Sequence, residues 1–285
     1  MQDPLTQLVR AALEEDHAWK DITTLATVDA ERRSNVKLVA KQSGVLSGMH
    51  PFRRAFELMD AEIETWEALH DGQHFEKGII LARFTARSRA ALMAERTAMN
   101  FIQHLSGIAT ETSAFVSALD GLPCRICATR KTTPLLRDLE KAAVVHGGGA
   151  NHRHSLIDGI LIKENHIAAS GGIRAAVERA RHNAHHLMGI EVEVRNYEEL
   201  QEALNLGVQI IMLDNMDIPE LKESVRIVHE HAAKSGHHPP QLEASGNVTL
   251  KRIRSIAETG VNIVSVGSIT HSSMSLDLSL LIDHD

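Results

Sequence analysis

Six short apolar runs in the middle and C-terminal half of the chain, RICATRK, IDGILIKEN, GIEVEVR, VQIIMLDN, QLEASGN and VNIVSVGS, each stop on charged, small or hydroxylated residues. Stretches with helical character lie near 134–145, 172–187, 197–205, 218–234 and 249–258, so from Gly121 onward the pattern reads strand, helix, strand. Parallel strands alternating with helices close into a barrel whose C-terminal strand ends surround one mouth, where side chains distant in sequence meet. The N-terminal part has another rhythm. Leu5, Leu8, Val9, Ala12 and Leu13 form the stripe of an amphipathic helix. VKLVAK (36–41), IETWEAL (63–69) and KGIILARFTAR (77–87) have strand character and are split by Gly44, Gly48, Gly72 and Gly78, which describes a small sheet with helices. A long helix is expected from about Ser88 to Leu119, with Gly107 interrupting it. The fold class is α/β, with an α+β domain over 1–115, a catalytic barrel over 116–272 and a tail, 273–285, returning to the first domain.

With 285 residues, 43% apolar and 24% charged, the composition is that of an ordinary globular protein. The net charge of −7 argues against general attraction to nucleic acid or anionic lipid, so any basic cluster is local. The N-terminus lacks a basic start followed by an apolar core, and no run approaches a membrane span, so a cytoplasmic location is expected. Cys124 and Cys127 are spaced C-x-x-C, but they open an apolar run rather than a helix, and a zinc site would need two further ligands nearby. Buried structural thiols are the expected outcome. Of the 18 histidines, the pairs His185–His186 and His237–His238 lie in polar stretches and read as solvated surface.

The run ends carry the chemistry. The mouth would collect Arg130, Lys131, Lys163, Glu193, Asp214, Ser245 and Gly267. Phosphates call for Arg, Lys and backbone donors, and Mg2+ for carboxylates, so this set describes a site for a polyanionic ligand with a divalent metal. Ala128–Pro134 puts two cations and three hydroxyls where a strand yields to a helix; alone, such a pair reads as a solvated turn. Gly147–Gly149 would let backbone approach a ligand beside His152 and Arg153, although a triple glycine is equally a mobile loop. Lys163 ends an apolar run, a costly position unless an anion meets it. Glu193 and Asp214 occupy equivalent places on successive units. Glu191 lies on the same strand side as Glu193, so either could face the mouth, with Glu193 nearer the end. Glu243–Asn247 and Val266–His271 are small hydroxyl-bearing turns after the last two strands, where barrels cradle phosphate.

The segments ATRKTTP, GGGANHR, LIKENH, EVEV, MLDN, EASGN and SVGSITHS resemble those of quinolinate phosphoribosyltransferases, the decarboxylating nicotinate-nucleotide pyrophosphorylases of NAD synthesis. The resemblance runs from Asp21–Thr24 to Leu276–Leu280. It implies an N-terminal open-faced sandwich domain, an incomplete (β/α) barrel with fewer than eight strands, Mg2+ dependence and a homodimer, with a hexamer as a further assembly, in which each subunit lends a residue to the other's site. That residue would be Arg96. The resemblance further implies that Arg96, Arg130, His152 and Arg153 hold the carboxylates of quinolinate, and that Lys131 and Lys163 are shared with phosphoribosyl pyrophosphate. Glu193 and Asp214 would face the ribose and its metal. Ser245, Gly246, Asn247, Gly267, Ser268 and His271 would receive the 5-phosphate. Leu135, Ala142 and Arg195 depart from the family's pattern without removing a ligand.

The reaction so implied, displacement of pyrophosphate by a pyridine nitrogen through an oxocarbenium-like state, needs carboxylates near developing positive charge and cations near the leaving group. Lys131, Lys163, Glu193 and Asp214 are the expected catalytic set. Rival readings are a molybdenum-locus paralogue sharing this framework, a Schiff-base lyase using Lys163, and a non-catalytic anion-binding barrel.

Overall fold

Along Arg33–Ala40 the residues facing one side, Val36, Leu38 and Ala40, are buried, while alternate positions remain partly exposed, the signature of a strand covered on one face. The computed structural model describes residues 3–60 and 62–283. In chain order it begins with α1 (Pro4–Glu15), whose N-cap Asp3 accepts the Thr6 amide at 2.9 Å, then α2 (Ile22–Thr27), β1 (Arg33–Ala40), β2 (Gly44–Val45), α3 (Met49–Met59), β3 (Glu64–Ala68), β4 (His74–Phe75) and β5 (Ile80–Arg87). The long helix α4 (Ser88–Leu119) follows directly.

The second half alternates: β6 (Arg125–Ala128), α5 (Arg137–His146), β7 (Ala150–Asn151), β8 (Ile160–Ile162), α6 (Glu164–Ser170), α7 (Ile173–Asn183), β9 (Ile190–Val194), α8 (Tyr197–Asn205), β10 (Ile210–Asp214), α9 (Ile218–Ser235), β11 (Gln241–Ser245), α10 (Ile253–Ala257), β12 (Ile263–Ser265) and α11 (Ser268–His271). The chain closes with β13 (Leu278–Asp283). Among the described residues no helix is long and apolar enough to cross a membrane.

Two compact units result: Met1–Ser113 with Thr132–Gly148 and Ile269–Asp285, and Ala114–Lys131 with Gly149–Ser268. The first holds an antiparallel sheet in the order β13-β1-β5-β3, so the C-terminal strand pairs with β1. Its core centres on Phe52, Phe56, Trp66 and Phe84, with ring centroids 4.8–6.5 Å apart. The segment Thr132–Gly148, assigned to the barrel on its alternating pattern, clusters with this first unit. Within it, the buried Glu140 binds His104 Nε2 at 2.8 Å and the Thr133 amide at 3.1 Å. Gly107 does not interrupt α4. A Cβ there would lie 2.1 Å from the Met274 carbonyl oxygen, so this glycine serves a close backbone approach. The glycine stretch is corrected in the same way: Gly147 caps α5, and a Cβ on it would meet the Ala109 oxygen at 2.3 Å. Leu135, one of the departures noted in the sequence, sits at φ 67, in the left-handed region.

The second unit carries seven parallel strands in the order β7-β6-β12-β11-β10-β9-β8, an incomplete barrel with β7 and β8 as its ends. Cys124 and Cys127 are buried and not joined in a disulfide, and burial pushes the Cys124 thiol up to about 11.

Candidate active site

Capping fixes where each helix takes over from its strand. Asn196 accepts the Glu199 amide at 2.9 Å to start α8, and Asp217 and Glu220 exchange backbone hydrogen bonds of 2.9 and 2.7 Å to start α9. Helices that begin only a few residues past β9 and β10 leave the last strand residues at the C-terminal rim. The two-residue period then sorts the interior. Leu161 and Lys163, Glu191 and Glu193, Met212 and Asp214, Glu243 and Ser245 all line the inside of the sheet, with Glu193, Met212 and Glu243 level across β9, β10 and β11.

The rim encloses a cavity of about 530 Å3, lined by Arg130, Lys131, His152, Arg153, Lys163, Glu193, Asp214, Ser245, Gly246 and Asn247. Most of the expected ligands are therefore gathered in one place. Lys163 Nζ lies 3.2 Å from Glu193 Oε2, and Asp214 accepts from the Asn215 side chain at 2.8 Å. The Asn215 amide donates to the Ser245 carbonyl at 2.8 Å, tying the β10 and β11 turns together. Gly246, at φ 91, packs so closely that a Cβ would lie 2.1 Å from Asn215 Oδ1. Burial lowers the Arg153 guanidinium from its ordinary value, and Arg130 beside it adds to the effect.

Four expected residues are not among those lining this cavity. Arg96 belongs to the first unit, where it lines a cavity of about 520 Å3 with Asp16, Asn100 and His104. Gly267, Ser268 and His271 are not among the residues lining the rim cavity: β12 ends at Ser265, and Ser268–His271 winds into a short helix. His271 Nδ1 shares a 2.6 Å hydrogen bond with Ser272 Oγ.

Below the rim the structure reveals two acids that strand alternation alone could not assign. Glu191 lies behind Glu193 and meets His152 Nε2 at 2.8 Å, while Glu243 Oε2 is 3.6 Å from the same nitrogen. Burial, with Glu191 close by, pushes Glu243 up to about 7. The hydrogen bond to Glu191 raises His152. These residues, with Arg125, Cys127, Ile210 and Gln241, line a second cavity of about 300 Å3 toward the strand N-termini. The Schiff-base reading wanted cations around Lys163; its ion pair is with the Glu193 carboxylate.

The chain matches both domains of one family: the quinolinate phosphoribosyl transferase N-terminal domain over residues 21–106 and the C-terminal domain over 108–281. It is 41% identical over 276 residues to the probable nicotinate-nucleotide pyrophosphorylase (carboxylating) of Bacillus subtilis, covering 97% of this chain and 92% of that one. To quinolinate phosphoribosyltransferase (decarboxylating) 1b of Nicotiana tabacum the identity is 37%, covering 98% and 82%. The solved nicotinate-nucleotide pyrophosphorylase from Francisella tularensis superposes with a TM-score of 0.91 at 36% identity, covering 99% of this chain and 96% of the other.

Proposed function

The chain belongs to the quinolinate phosphoribosyltransferase family, and from that premise we propose how its own residues divide the work. It is a pentosyltransferase of NAD synthesis that moves the phosphoribosyl group of phosphoribosyl pyrophosphate onto quinolinate with loss of CO2, giving nicotinate mononucleotide and pyrophosphate.

One observation carries the assignment of roles: cations and carboxylates from separate strand ends line a single cavity. Arg130 and Arg153, with their planar donors, take the quinolinate carboxylates. Lys131 and Lys163 face the pyrophosphate. The pyridine nitrogen forms its bond to the anomeric carbon as the carbon–oxygen bond to pyrophosphate breaks, and the leaving oxygen takes the electron pair. Glu193 and Asp214 oppose the positive charge that grows on the ribose. In the second step the carboxylate next to the quaternised nitrogen departs as CO2, the ring accepts the electron pair, and the exposed carbon takes up a proton. No covalent nucleophile is needed; the protein orients and balances charge.

The donor set suits Mg2+, because Glu193 and Asp214 line one cavity and would offer the carboxylate oxygens that a hard divalent ion prefers. Bound there, Mg2+ supplies charge neutralisation for the departing pyrophosphate. Ser245, Gly246 and Asn247 cradle the 5-phosphate, with Gly267, Ser268 and His271 after the following strand as the outer part of that cradle. The functional unit is a homodimer in which Arg96 serves the partner's cavity, and the compartment is the cytoplasm. Incubation with quinolinate, phosphoribosyl pyrophosphate and Mg2+ should release nicotinate mononucleotide and CO2 in equal amounts. A chain that consumes neither substrate refutes the reading.

A further inference from the structure

Glu191 and Glu243 have no role in this scheme, yet they are only 5% and 1% exposed. Burying one carboxylate is costly unless it is paired, and a second beside it adds repulsion. Among the described residues, neither Glu191 Oε1 nor Glu243 Oε1 meets a hydrogen-bond partner. Their other oxygens converge on one donor, His152 Nε2, at 2.8 and 3.6 Å. On the far side of the ring, Nδ1 accepts the Arg153 backbone N–H at 2.8 Å. An imidazole whose Nδ1 accepts carries its proton on Nε2, so the ring donates to Glu191. The contacts thus run from a buried carboxylate through an imidazole to the backbone of a cavity arginine, whose Nη1 also donates to the Gly159 carbonyl at 3.2 Å.

We propose that Glu191 is a positioning residue: it fixes the tautomer and ring plane of His152, and through Nδ1 it sets the backbone from which Arg153 presents its guanidinium to a substrate carboxylate. The proposal rests on the reading of Arg153 as a quinolinate contact. Glu243 is the second wall against which the imidazole is held. A rival occupant is a cation, since His152, Glu191 and Glu243 offer ligand atoms all within 4.8 Å of one another. The tautomer opposes it: a ring coordinating through Nε2 carries its proton on Nδ1, where the Arg153 N–H, itself a donor, already points.

Two isosteric substitutions separate positioning from bulk stability. Glu191→Gln keeps an acceptor for Nε2–H, and its KM for quinolinate should stay within about threefold of wild type. Glu191→Met keeps the volume and loses the acceptor; its quinolinate KM should rise about tenfold or more with the KM for phosphoribosyl pyrophosphate unchanged, the mark of one misplaced contact. Equal changes in both KM values, or none in Glu191→Met, overturn the proposal. Nitrogen-15 spectra of the His152 ring decide independently of turnover and of whether Glu191→Met folds: Nε2–H in the wild type supports it, while Nδ1–H, or ring-nitrogen shifts on adding Zn2+ that show ligation through Nε2, overturns it. A wild type with the Nε2–H tautomer that does not use quinolinate defeats the functional reading and with it the purpose given to Glu191.

Discussion

Lys163 Nζ and Glu193 Oε2 stand 3.2 Å apart, a lysine just past the end of β8 joined to an acid on the adjacent β9. The partners differ in exposure, 47% for the Lys163 side chain and 11% for Glu193, so the acid is the more dependent on the pair. The lysine is free enough to turn toward an incoming phosphate. Lys163→Ala and Glu193→Ala should each fold, by circular dichroism, and lose about 100-fold or more in kcat/KM for nicotinate mononucleotide formation. Turnover near the wild-type level in either folded variant would remove these residues from the site.

If Arg96 serves the partner's cavity, two inactive variants should repair one another. Arg96→Ala and Lys163→Ala, mixed after dissociation, form heterodimers in which one of two sites is intact, and random mixing should restore about a quarter of wild-type activity. Recovery of nothing from well-folded, demonstrably mixed dimers would argue that Arg96 acts within its own subunit.

Glu243 gives stability a pH dependence. Folded, its carboxyl keeps its proton up to about 7, whereas its ordinary value is 4.5, so between these values the folded state binds more protons and stability declines as pH rises. His152, raised by its bond to Glu191 and further by the Glu243 charge, contributes with the same sign, and a Glu243 variant loses part of that contribution too. Melting temperatures of Glu243→Gln should therefore fall less than those of wild type between pH about 5 and about 8, with the variant the more stable at the alkaline end. Parallel curves would show that the Glu243 proton is not linked to folding.

Gly107→Ala should be costly although the site is an ordinary helix interior, where alanine is normally favoured by up to about 1 kcal/mol over glycine. The added methyl meets the Met274 carbonyl at 2.1 Å, and backbone yields less readily than a side chain. A loss of about 1–3 kcal/mol in urea unfolding is expected. A gain would mean that the segment bearing Met274 is held only loosely.

Much of the site is readable in advance because a strand side chain alternates strictly and a buried parallel strand is apolar until it reaches the rim. A charged residue at the end of such a run therefore reports its own position: Lys163 and Asp214 line the rim cavity, as does Glu193, the later of the two acids in its strand. The argument is weaker past the strand end. Gly267, Ser268 and His271 follow Ser265 into a helical turn, and no period tells which of them faces inward. The glycines misled for a related reason: a run of three reads as mobile, yet at Gly147 the missing side chain admits a carbonyl from α4.

The chain's own pattern determined the alternation of strands and helices, the small N-terminal sheet and the rim chemistry, because each follows from periodicity and from the free energy of burying apolar side chains. Only the tertiary structure decided that Glu191 and Glu243 meet over His152, and that Thr132–Gly148 clusters with the first unit. A carboxylate inside an apolar run looks the same in sequence whether it faces a helix, a cavity or another carboxylate. What selects among these is the register of strands far apart in the chain, and that register is set only when the whole sheet assembles.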